Sequence, residues 1–416
     1  MNAVTTEKSY RERSLLIIQQ YAISPDQPGG TRHFEMAKNL SDVGWRVRIL
    51  ASDFSHPERR FTRRIPSDRR RIINRQEDGV AFSYAWVPPY EGNNRGRILS
   101  MLWFALAAVW SVLRGSESCV MGSSPHIFAA AGAYLGARIR RRNFIFEVRD
   151  LWPESYEAVQ PGAKTSLQYR LIGLIANHLY RHADLVVILA EGNRDIVLSR
   201  GASPEKLICI PNGVDLSSFA SFDRKSQEGL LRFVYTGAHG EANGLDVVLD
   251  AAKALMERGV VDFSVSLIGD GPQKERLKDR VANEGLSMID FSQPMPKTEM
   301  PVLLSNFDVG LMILAPADLF TFGVSPNKLF DYFSANLPIV SNVQGSVAEA
   351  VKAANGGVTS NGTDAEALAD AMAQMIDLGR DQLGAQFGGG RAFVEANFNR
   401  SDLAAQLEVA LSRLTH

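Results

Sequence analysis

The chain has 416 residues, of which 45% are apolar and 22% charged, and a formal charge of −1. This is ordinary globular composition, and the length exceeds what one hydrophobic core usually serves, so two domains are expected. Residues 1–215 carry 29 basic and 21 acidic side chains, whereas residues 216–416 carry 16 and 25. The asymmetry favours a first half that faces phosphates or lipid headgroups, and argues against a uniformly basic nucleic-acid-binding protein.

Targeting and redox signals are few. The two cysteines, Cys119 and Cys209, are too few for a disulfide framework or a cysteine zinc site, and they predict a reducing compartment. The first apolar run, at residues 15–18, is too short for a signal-peptide core. The longest one, residues 98–113, is shorter than the roughly 20 residues that a membrane span needs.

Short apolar runs alternate with stretches of helical period along nearly the whole chain, which is typical of β-α-β units with a parallel sheet. Strands are predicted at residues 15–19, 47–51, 80–87, 118–121, 144–148, 185–189 and 207–210. The pattern restarts with strands at 231–236, 263–268, 288–291, 309–313 and 338–341. Helices are predicted at 31–43, ended by Gly44, and at 364–378 and 402–414. The predicted fold class is α/β, with two doubly wound, Rossmann-like domains facing across a cleft.

A polar, Ser-rich stretch over residues 216–229 predicts the linker between the domains. The expected domains are therefore residues 1–215 and 216–399, with a C-terminal helix in residues 400–416 that packs back on the first domain.

Each predicted domain has a glycine loop after its first strand. Gly29 and Gly30 precede a helix in the first domain, and a loop from Gly237 to Gly244, which includes His239, does so in the second. Glycines let backbone N–H groups approach a phosphate, and a helix N-terminus favours anions. An ordinary loop is the alternative for either one alone, but two at the carboxyl ends of strands favour a ligand held between the domains.

A Ser-Pro-Asn-Lys motif opens a helix near residue 326. Pro326 is expected at the first helical position, so that the next three N–H groups are unpaired and suit a diphosphate. Lys328 adds a charge, and Asp331 can accept hydrogen bonds from ribose hydroxyls. An ordinary capped helix is the alternative. The candidate residues of this motif are Ser325, Asn327, Lys328, Leu329 and Asp331.

A charged segment follows the predicted strand at 144–148. Arg149 and Asp150 lie where parallel sheets bind ligands, so Asp150 is a candidate to orient an acceptor or to act as a base. Glu154 is its candidate partner or a helix cap. A structural Arg-Asp pair is the alternative.

Together these motifs resemble glycosyltransferase family 4 of the GT-B fold, and within it the bacterial surface-polysaccharide branch of WbuB-type N-acetylfucosamine transferases. The resemblance covers nearly the whole chain. It implies retaining transfer from a nucleotide-diphospho-sugar, usually a UDP-sugar, with no metal and no further cofactor. The first domain would then serve the acceptor and the second the nucleotide-sugar.

The resemblance also assigns roles. Gly29 and Gly30 would approach the donor, Asp150 would lie near the reacting centre, and Asp331 would take the ribose role. Phosphate contacts would come from Asn327, Lys328 and Leu329. The chain departs from the family where a donor-sugar glutamate falls on Gly323 and where two basic residues fall on Ala238 and Asn243. Charge compensation is then expected from Lys328, helix N-termini, and Arg149 or His239.

The apolar run at 98–113 is flanked by Arg95, Arg97 and Arg114, and a cluster of four arginines lies within residues 138–142. This pattern favours docking on an anionic membrane over a plain core helix, with the arginine-rich residues 59–75 adding to the surface. Docking suits an acceptor on polyprenyl diphosphate and a peripheral location at the cytoplasmic face. No aromatic platform interleaves the arginines, which makes nucleic acid a poorer ligand.

Two other functions remain open at this stage. Nucleotide-sugar epimerases or hydrolases share the two-domain architecture and need no acceptor surface. A non-catalytic subunit that binds nucleotide-sugar or lipid would explain Gly323, Ala238 and Asn243. The donor sugar, the base, the acceptor and the oligomeric state do not follow from the sequence.

Overall fold

A computed structural model describes residues 13–56, 58–65, 68, 70–92, 95–159, 162–219, 229–316, 323 and 325–415. The chain divides into two compact units. The first contains residues 1–24, 30–211 and 400–416, and the second contains residues 25–29 and 212–399. The division near the middle of the chain follows Pro211 rather than Asp215, and the C-terminal helix belongs to the first unit.

The first unit is built on an eight-stranded sheet in the order β10-β9-β8-β7-β1-β2-β6-β5. Its strands are β1 (Ser14–Ile18), β2 (Arg46–Ser52), β5 (Ile72–Glu77), β6 (Val80–Ala85), β7 (Cys119–Ser123), β8 (Asn143–Val148), β9 (Leu185–Ile188) and β10 (Leu207–Cys209), and a separate hairpin pairs β3 (Phe54–Ser55) with β4 (Arg60–Phe61). All neighbours in the sheet are parallel except β5, which runs antiparallel to β6. Buried parallel strands need apolar residues on both faces, as β1 has throughout.

Among the described residues of the first unit there are seven helices. They are α1 (Arg32–Asp42), α2 (Arg95–Arg114), α3 (Ile127–Arg140), α4 (Glu154–Val159), α5 (Leu167–His182), α6 (Arg194–Ser199) and α14 (Arg400–Thr415). Helix α14 buries Leu403, Leu407 and Leu411 in the same core as α1 and the sheet. Its register is held by Arg400, whose Nε lies 2.9 Å from a carboxylate oxygen of Glu35. Apolar burial therefore joins the C-terminus to this unit.

Helices α2 and α3 pack unusually closely because α3 is rich in small residues. A Cβ atom at Gly132 would lie 2.5 Å from the carbonyl oxygen of Ala105, and one at Gly136 would lie 2.8 Å from Cβ of Val112. Helix α2 buries only its inner face, which includes Ser100 and Phe104. At 20 residues it is long and apolar enough, by length and composition, to cross a membrane. From the sequence, only the apolar run at residues 98–113 was counted as a possible span. The helix itself is longer, because residues 95–97 and Arg114 extend it at its two ends.

The second unit has an entirely parallel six-stranded sheet in the order β13-β12-β11-β14-β15-β16. Its strands are β11 (Leu231–Thr236), β12 (Phe263–Ile268), β13 (Ile289–Ser292), β14 (Val309–Met312), β15 (Ile339–Ser341) and β16 (Gly357–Thr359). Its helices are α7 (Asp246–Glu257), α8 (Lys274–Glu284), α9 (Met300–Leu304), α10 (Asn327–Ser334), α11 (Ser346–Ala354), α12 (Ala365–Phe387) and α13 (Gly390–Asn397). Strand β11 is central, so the loop that follows it lies at the middle of the sheet's carboxyl edge.

The predicted α/β class with two doubly wound units is confirmed. The predicted strands at 231–236 and 263–268 have the observed bounds, and the others differ at their ends by up to two residues. Three features were missed: the β3-β4 hairpin, the antiparallel β5 and the edge strand β16. Helix α1 ends at Asp42 with Val43 as its C-cap, so Gly44 lies one residue beyond the cap. Most of the predicted linker, residues 220–228, lies outside the described residues.

Candidate functional site

The loop after β11 forms the floor of the candidate site in the second unit. Gly237 has a φ of 148°, and a Cβ atom there would lie 3.2 Å from the hydroxyl of Tyr235 and 3.4 Å from Nζ of Lys328. The end of β11 is held by Tyr332, whose hydroxyl lies 2.8 Å from the backbone nitrogen of Thr236 and accepts its N–H. Glycine is therefore required where the loop meets the lysine.

Lys328 lies on the first turn of α10, and its Nζ atom is buried at this point. Its Nζ lies 4.0 Å from the ring centroid of Tyr235 and has no hydrogen-bond partner among the described residues. Burial lowers the pKa of Lys328 to about 7. A buried, unpartnered amine is unfavourable, so the arrangement is suited to an anion that supplies the missing acceptor.

His239 lies beside Lys328 and is fully buried. Its backbone N–H donates to the carbonyl of Asp270 at 2.8 Å, while neither ring nitrogen has a partner in the described part of the chain. Burial, with smaller effects from Lys274 and Lys328, lowers the pKa of His239 to about 4. The ring is therefore neutral at neutral pH and offers one donor and one acceptor.

Gly269, Gly271 and Lys274, after β12, complete this site and were missed in the sequence. A Cβ atom at Gly269 would lie 1.8 Å from the carbonyl oxygen of Gly237, and one at Gly271 would lie 2.5 Å from that of His239. Lys274, also buried, donates to the carbonyls of Gly269 at 2.7 Å and Ser292 at 2.9 Å. A Gly-Asp-Gly sequence directly after a strand was the available signal.

The N-terminus of α10 differs in detail from the expectation. Pro326 is the N-cap, so Asn327 is the first helical residue. The N–H of Leu329 donates to the carbonyl of Pro326 at 3.2 Å, and is therefore not unpaired as predicted. Ser325 accepts the backbone N–H of Asn212 at 2.7 Å through its hydroxyl, which fixes the loop before the helix.

Asp331 forms an ion pair with Lys297, and both side chains are mostly buried. The pair brings the loop that follows β13 to the first turns of α10.

Ala238 and Asn243, the two positions where the resemblance implies basic residues, contact Tyr235 instead. The hydroxyl of Tyr235 donates to the carbonyl of Ala238 at 2.9 Å and lies 2.8 Å from Oδ1 of Asn243. Gly323 is buried with a φ of 126°, and its neighbours 317–322 and 324 lie outside the described residues.

In the first unit, Arg149 and Asp150 directly follow β8 as predicted. The hydroxyl of Ser124 accepts the backbone N–H groups of Arg149 at 2.8 Å and Asp150 at 3.1 Å. Burial raises the pKa of Asp150, an effect that Arg149 opposes. Burial also lowers the pKa of Arg149, against the charges of Glu147 and Asp150.

A buried charge network under this segment was not predicted. Glu147 in β8 lies 2.8 Å from Nε of Arg32 and 2.7 Å from Nε2 of His33, both on the first turn of α1. Arg32 also donates to the carbonyls of Pro211 at 2.6 Å and Ile210 at 2.9 Å. A glutamate inside the apolar strand Phe-Ile-Phe-Glu-Val was the available signal.

Two further predicted positions have other neighbours. Glu154 pairs with Arg200, and no hydrogen bond or ion pair between Glu154 and Asp150 occurs among the described residues. Gly29 and Gly30 lie between β1 and α1, and Gly29 has a φ of 135°. The structure therefore brings Gly237, His239 and Lys328 together in the second unit and Arg149 with Asp150 in the first.

Two doubly wound units, the second with a basic site at its strand ends, define a protein of the GT-B class. The fold is similar to that of sucrose-phosphate synthase from Thermosynechococcus elongatus, with a TM-score of 0.74 at 15% identity over 97% of this chain and 99% of that one. It is also similar to Anabaena Alr3699/HepE, solved in complex with UDP and glucose, with a TM-score of 0.69 at 15% identity over 96% and 99% of the two chains.

The family follows from the sequence matches. Residues 29–213 match the glycosyl transferase 4-like domain, and residues 231–377 match glycosyl transferases group 1. The two parts of the chain are therefore similar, in this order, to a glycosyl transferase 4-like domain and to glycosyl transferases group 1. A putative colanic acid biosynthesis glycosyltransferase, WcaL of Salmonella typhimurium, is 27% identical over 238 residues. That match spans 57% of this chain and 58% of the relative, which is less than two thirds of its length.

Proposed function

We propose that the chain is a retaining glycosyltransferase that moves a sugar from a UDP-sugar to a glycan acceptor carried on polyprenyl diphosphate, in surface polysaccharide synthesis. The observation that carries this proposal is the buried Nζ of Lys328, which lacks a partner in the described part of the chain and lies beside the Gly237 loop at the start of α10. The WcaL-type relative and the UDP complex of Alr3699/HepE support the reaction class and the donor. The WbuB-type donor sugar remains part of the proposal.

The diphosphate of the donor would bind at Lys328 and the adjacent free end of α10. Its oxygens accept hydrogen bonds from Nζ and from the N–H groups of Asn327 and Lys328, while the neutral ring of His239 contributes one more donor. When the anomeric C–O bond breaks, negative charge grows on the leaving diphosphate. Fixed donors in a buried site stabilise that charge, and the proposal needs no metal ion for this step.

In the transfer step the acceptor hydroxyl oxygen forms the new bond to the anomeric carbon. The nucleoside diphosphate leaves with the bonding electron pair, and the hydroxyl proton passes to a leaving phosphate oxygen, so that attack occurs on the face from which the diphosphate departs. Asp150 and Arg149 orient the acceptor and form no covalent bond. The carboxylate of Asp331 accepts hydrogen bonds from the ribose hydroxyls. Lys297 either moves away from Asp331 when the nucleotide binds or keeps its ion pair with the same carboxylate.

The first unit carries the surface that we propose for membrane docking at the cytoplasmic face. Three neighbouring helices expose large apolar side chains: Ile98, Leu99, Leu102, Leu106 and Trp110 on α2, Leu135 and Ile139 on α3, and Leu167, Leu171 and Leu174 on α5. We call these residues the apolar face. Arg114 stacks 4.4 Å from the ring of Trp110, and Arg138 and Arg140 end α3. Apolar side chains bordered by arginines suit an anionic lipid surface.

The experiment that tests the donor site is calorimetric titration of UDP, GDP, ADP and a set of UDP-sugars, with magnesium and with EDTA. Wild type is expected to bind one nucleotide with micromolar affinity in both conditions. Lys328→Met keeps the length of the side chain and removes its charge, and is expected to weaken binding at least about tenfold. Failure of every nucleotide to bind would overturn the proposal.

Lys352→Met is the matched control, because Lys352 is exposed on α11. Equal losses in both variants would argue that overall charge, rather than the site, is responsible. Product analysis without an acceptor separates the other enzyme class: rapid release or rearrangement of the sugar, with no stimulation by any lipid-linked acceptor, would indicate an epimerase or hydrolase.

A further inference from the structure

Two histidines at the end of α5 have no role in the reaction described so far. His178 and His182 are both exposed and lie one turn apart on the same face of the helix. Their ring centroids are 4.2 Å apart and their planes differ by 26°, so the two rings stack. We call these two residues the histidine pair.

A hydrogen bond to the backbone fixes the tautomer of one ring. Nδ1 of His182 lies 2.8 Å from the carbonyl oxygen of His178, which can only accept, so Nδ1 carries the proton and the lone pair is on Nε2. In metalloproteins this N–H···O=C bond orients a ligating imidazole and raises its basicity. The ring of His178 makes no hydrogen bond among the described residues, so its lone pair is also available.

An aromatic ring on α3 supports the histidine pair. Tyr134 meets the ring of His178 edge-on, with centroids 5.1 Å apart and planes at 84°, and its centroid is 6.5 Å from that of His182. This contact limits the rotamers that His178 can adopt. Two rings that are already held side by side lose less conformational entropy when they bind one ion together.

The charges around the pair act in both directions on a bound cation. His182 is the last residue of α5, and the carbonyl groups and dipole at a helix C-terminus favour positive charge. Two arginines oppose it. Arg181 packs along the turn after α6, where a Cβ atom at Gly201 would lie 2.6 Å from its Cγ, and the guanidinium of Arg138 is 5.9 Å from the ring centroid of Tyr134. Affinity must therefore come from bonds to the imidazoles rather than from charge.

The histidine pair continues the exposed apolar stripe of α5. Leu167, Leu171 and Leu174 precede His178 at successive spacings of four, three and four residues, which places all four side chains on one face of the helix. The three leucines are exposed and belong to the apolar face. A metal ion held by the pair would therefore lie at the border of the surface that we propose for docking.

We propose that His178 and His182 together bind a divalent transition-metal ion of the Zn²⁺ or Cu²⁺ type, and that this ion strengthens docking of the apolar face on anionic lipid. Imidazole is a preferred ligand of these ions, whereas Mg²⁺ and Ca²⁺ prefer oxygen. Two protein ligands leave two positions of a four-coordinate zinc ion for water or for phosphate oxygens of lipid headgroups. The effect on docking rests on the proposed function, and the metal site does not.

The test of the site is calorimetric titration of Zn²⁺ into the full chain at neutral pH. His178→Asn and His182→Asn each keep a polar side chain and remove one imidazole ligand. Each variant is expected to bind Zn²⁺ at least about tenfold more weakly than wild type. Mg²⁺, titrated in the same way, is expected to show no difference between wild type and the variants. Both histidines are exposed, and thermal unfolding at the wild-type temperature verifies that the variants are folded.

Arg170→His combined with His182→Asn is the matched control, because it keeps two histidines on α5. They would be eight residues apart, which is about 12 Å along a helix and too far for one ion to bind both. This double variant is expected to bind Zn²⁺ as weakly as His182→Asn does. Unchanged Zn²⁺ affinity in both single variants would overturn the site, as would a double variant that binds Zn²⁺ as wild type does.

Flotation with phosphatidylglycerol vesicles, in Zn²⁺ and in EDTA, tests the effect on docking. Zn²⁺ is expected to raise the vesicle-bound fraction of wild type several-fold over that of His182→Asn, which corrects for binding of Zn²⁺ to the lipid itself. An equal effect of Zn²⁺ on both proteins would overturn the link to docking. A wild type that binds Zn²⁺ at the pair but floats in neither condition would overturn the docking proposal and sustain the metal site.

Discussion

Nζ of Lys328 lies 4.0 Å from the ring centroid of Tyr235, so the ring faces this buried amine. The hydroxyl of the same tyrosine donates to the carbonyl of Ala238 and lies within hydrogen-bond distance of Asn243. Tyr235 thus supports the lysine with its ring and orders the following loop with its hydroxyl. The site suits an anion, because the amine is desolvated and no carboxylate among the described residues pairs with it.

Nucleotide binding is expected to take up a proton above neutral pH. Burial lowers the pKa of Lys328 to about 7, and a bound diphosphate would raise it by its charge. Affinity should therefore fall as the pH rises from 7 to 9, by up to about tenfold per pH unit. Calorimetry of the titration in buffers of different ionisation enthalpy measures the proton directly; no proton uptake at pH 8 would contradict the assignment.

Lys328 should also destabilise the free fold. Its pKa is about 7 in the folded state and about 10.4 in the unfolded chain, so the unfolded state binds more protons between these values. Unfolding free energy is then expected to rise with pH across that interval, at no more than ~1.4 kcal/mol per pH unit from this group. Lys328→Met should be more stable than wild type at pH 7, and this contribution to the pH slope should vanish. If Lys328→Met is less stable than wild type at pH 7, the buried amine of Lys328 does not destabilise the fold and the prediction is wrong.

Glu147 is expected to stabilise the first unit through Arg32. Burial alone raises the pKa of Glu147, but Arg32 and His33 outweigh it and hold the pKa well below its usual range. Glu147→Gln leaves the Arg32 charge buried without its counter-charge and should cost ~3–5 kcal/mol in urea unfolding. Because the folded pKa is depressed, this stabilisation is present above the unfolded pKa near 4.3 and is lost as the pH falls through the lower folded value.

Asp78→Asn provides the control for that measurement. Asp78 pairs with Lys38 at 3.2 Å, and both side chains are exposed. Its φ of 44° is one that asparagine tolerates, so a change within ~1 kcal/mol is expected. Similar losses of unfolding free energy in Glu147→Gln and Asp78→Asn would mean that the buried ion pair stabilises the chain no more than an exposed one.

The close approach of α2 to α3 depends on Gly132. A methyl group there would meet the carbonyl oxygen of Ala105, which belongs to the backbone and has little freedom to move. Gly132→Ala is expected to destabilise the chain by ~1–3 kcal/mol. Gly384→Ala on α12, where nothing lies within 4 Å of the new atom, should be neutral or stabilising by ~0.5–1 kcal/mol. Thermal unfolding of the pair checks the prediction, which fails if Gly132→Ala matches Gly384→Ala.

The apolar face should determine membrane binding. Leu106 and Trp110 are 66% and 53% exposed on α2, and replacing both by serine is expected to reduce flotation with phosphatidylglycerol vesicles several-fold at unchanged UDP affinity. Val302→Ser, at a residue of the second unit that is 68% exposed, is the control. Undiminished flotation of the double variant would remove α2 from the docking surface.

The fold class was predictable because most of the parallel strands are short runs of mainly apolar residues in the sequence. The predicted strands at 231–236 and 263–268 have the observed bounds; both are followed directly by a glycine, and the second is also preceded by Asp262. Strand β5 escaped because it is an edge strand with the polar sequence Asn-Arg-Gln-Glu, and the three-residue β16 is too short to show a period. Side chains at an edge need not be apolar, so the pattern carries no signal there.

The candidate site was also predictable from the sequence only in part. Gly237, His239 and Lys328 were identified from glycine spacing and from a helix start, which are local signals. Local reasoning also placed Pro326 one position too far into α10 and left the Leu329 N–H unpaired, because helix starts shift by a residue without changing the pattern. Glu154 was expected to be either a partner of Asp150 or a helix cap; it is the first residue of α4 and its ion-pair partner is Arg200.

The sequence by itself determined the two doubly wound units, the charge asymmetry and the motifs that contain Asp150 and Lys328, because these depend on residues that are close along the chain. Only the tertiary structure decided which charges are matched: Glu147 with Arg32, Asp331 with Lys297, and Lys328 with no partner among the described residues. The physical reason is that pKa, desolvation and ligand fit depend on distances through space, and residues distant along the chain become neighbours only when the sheet forms.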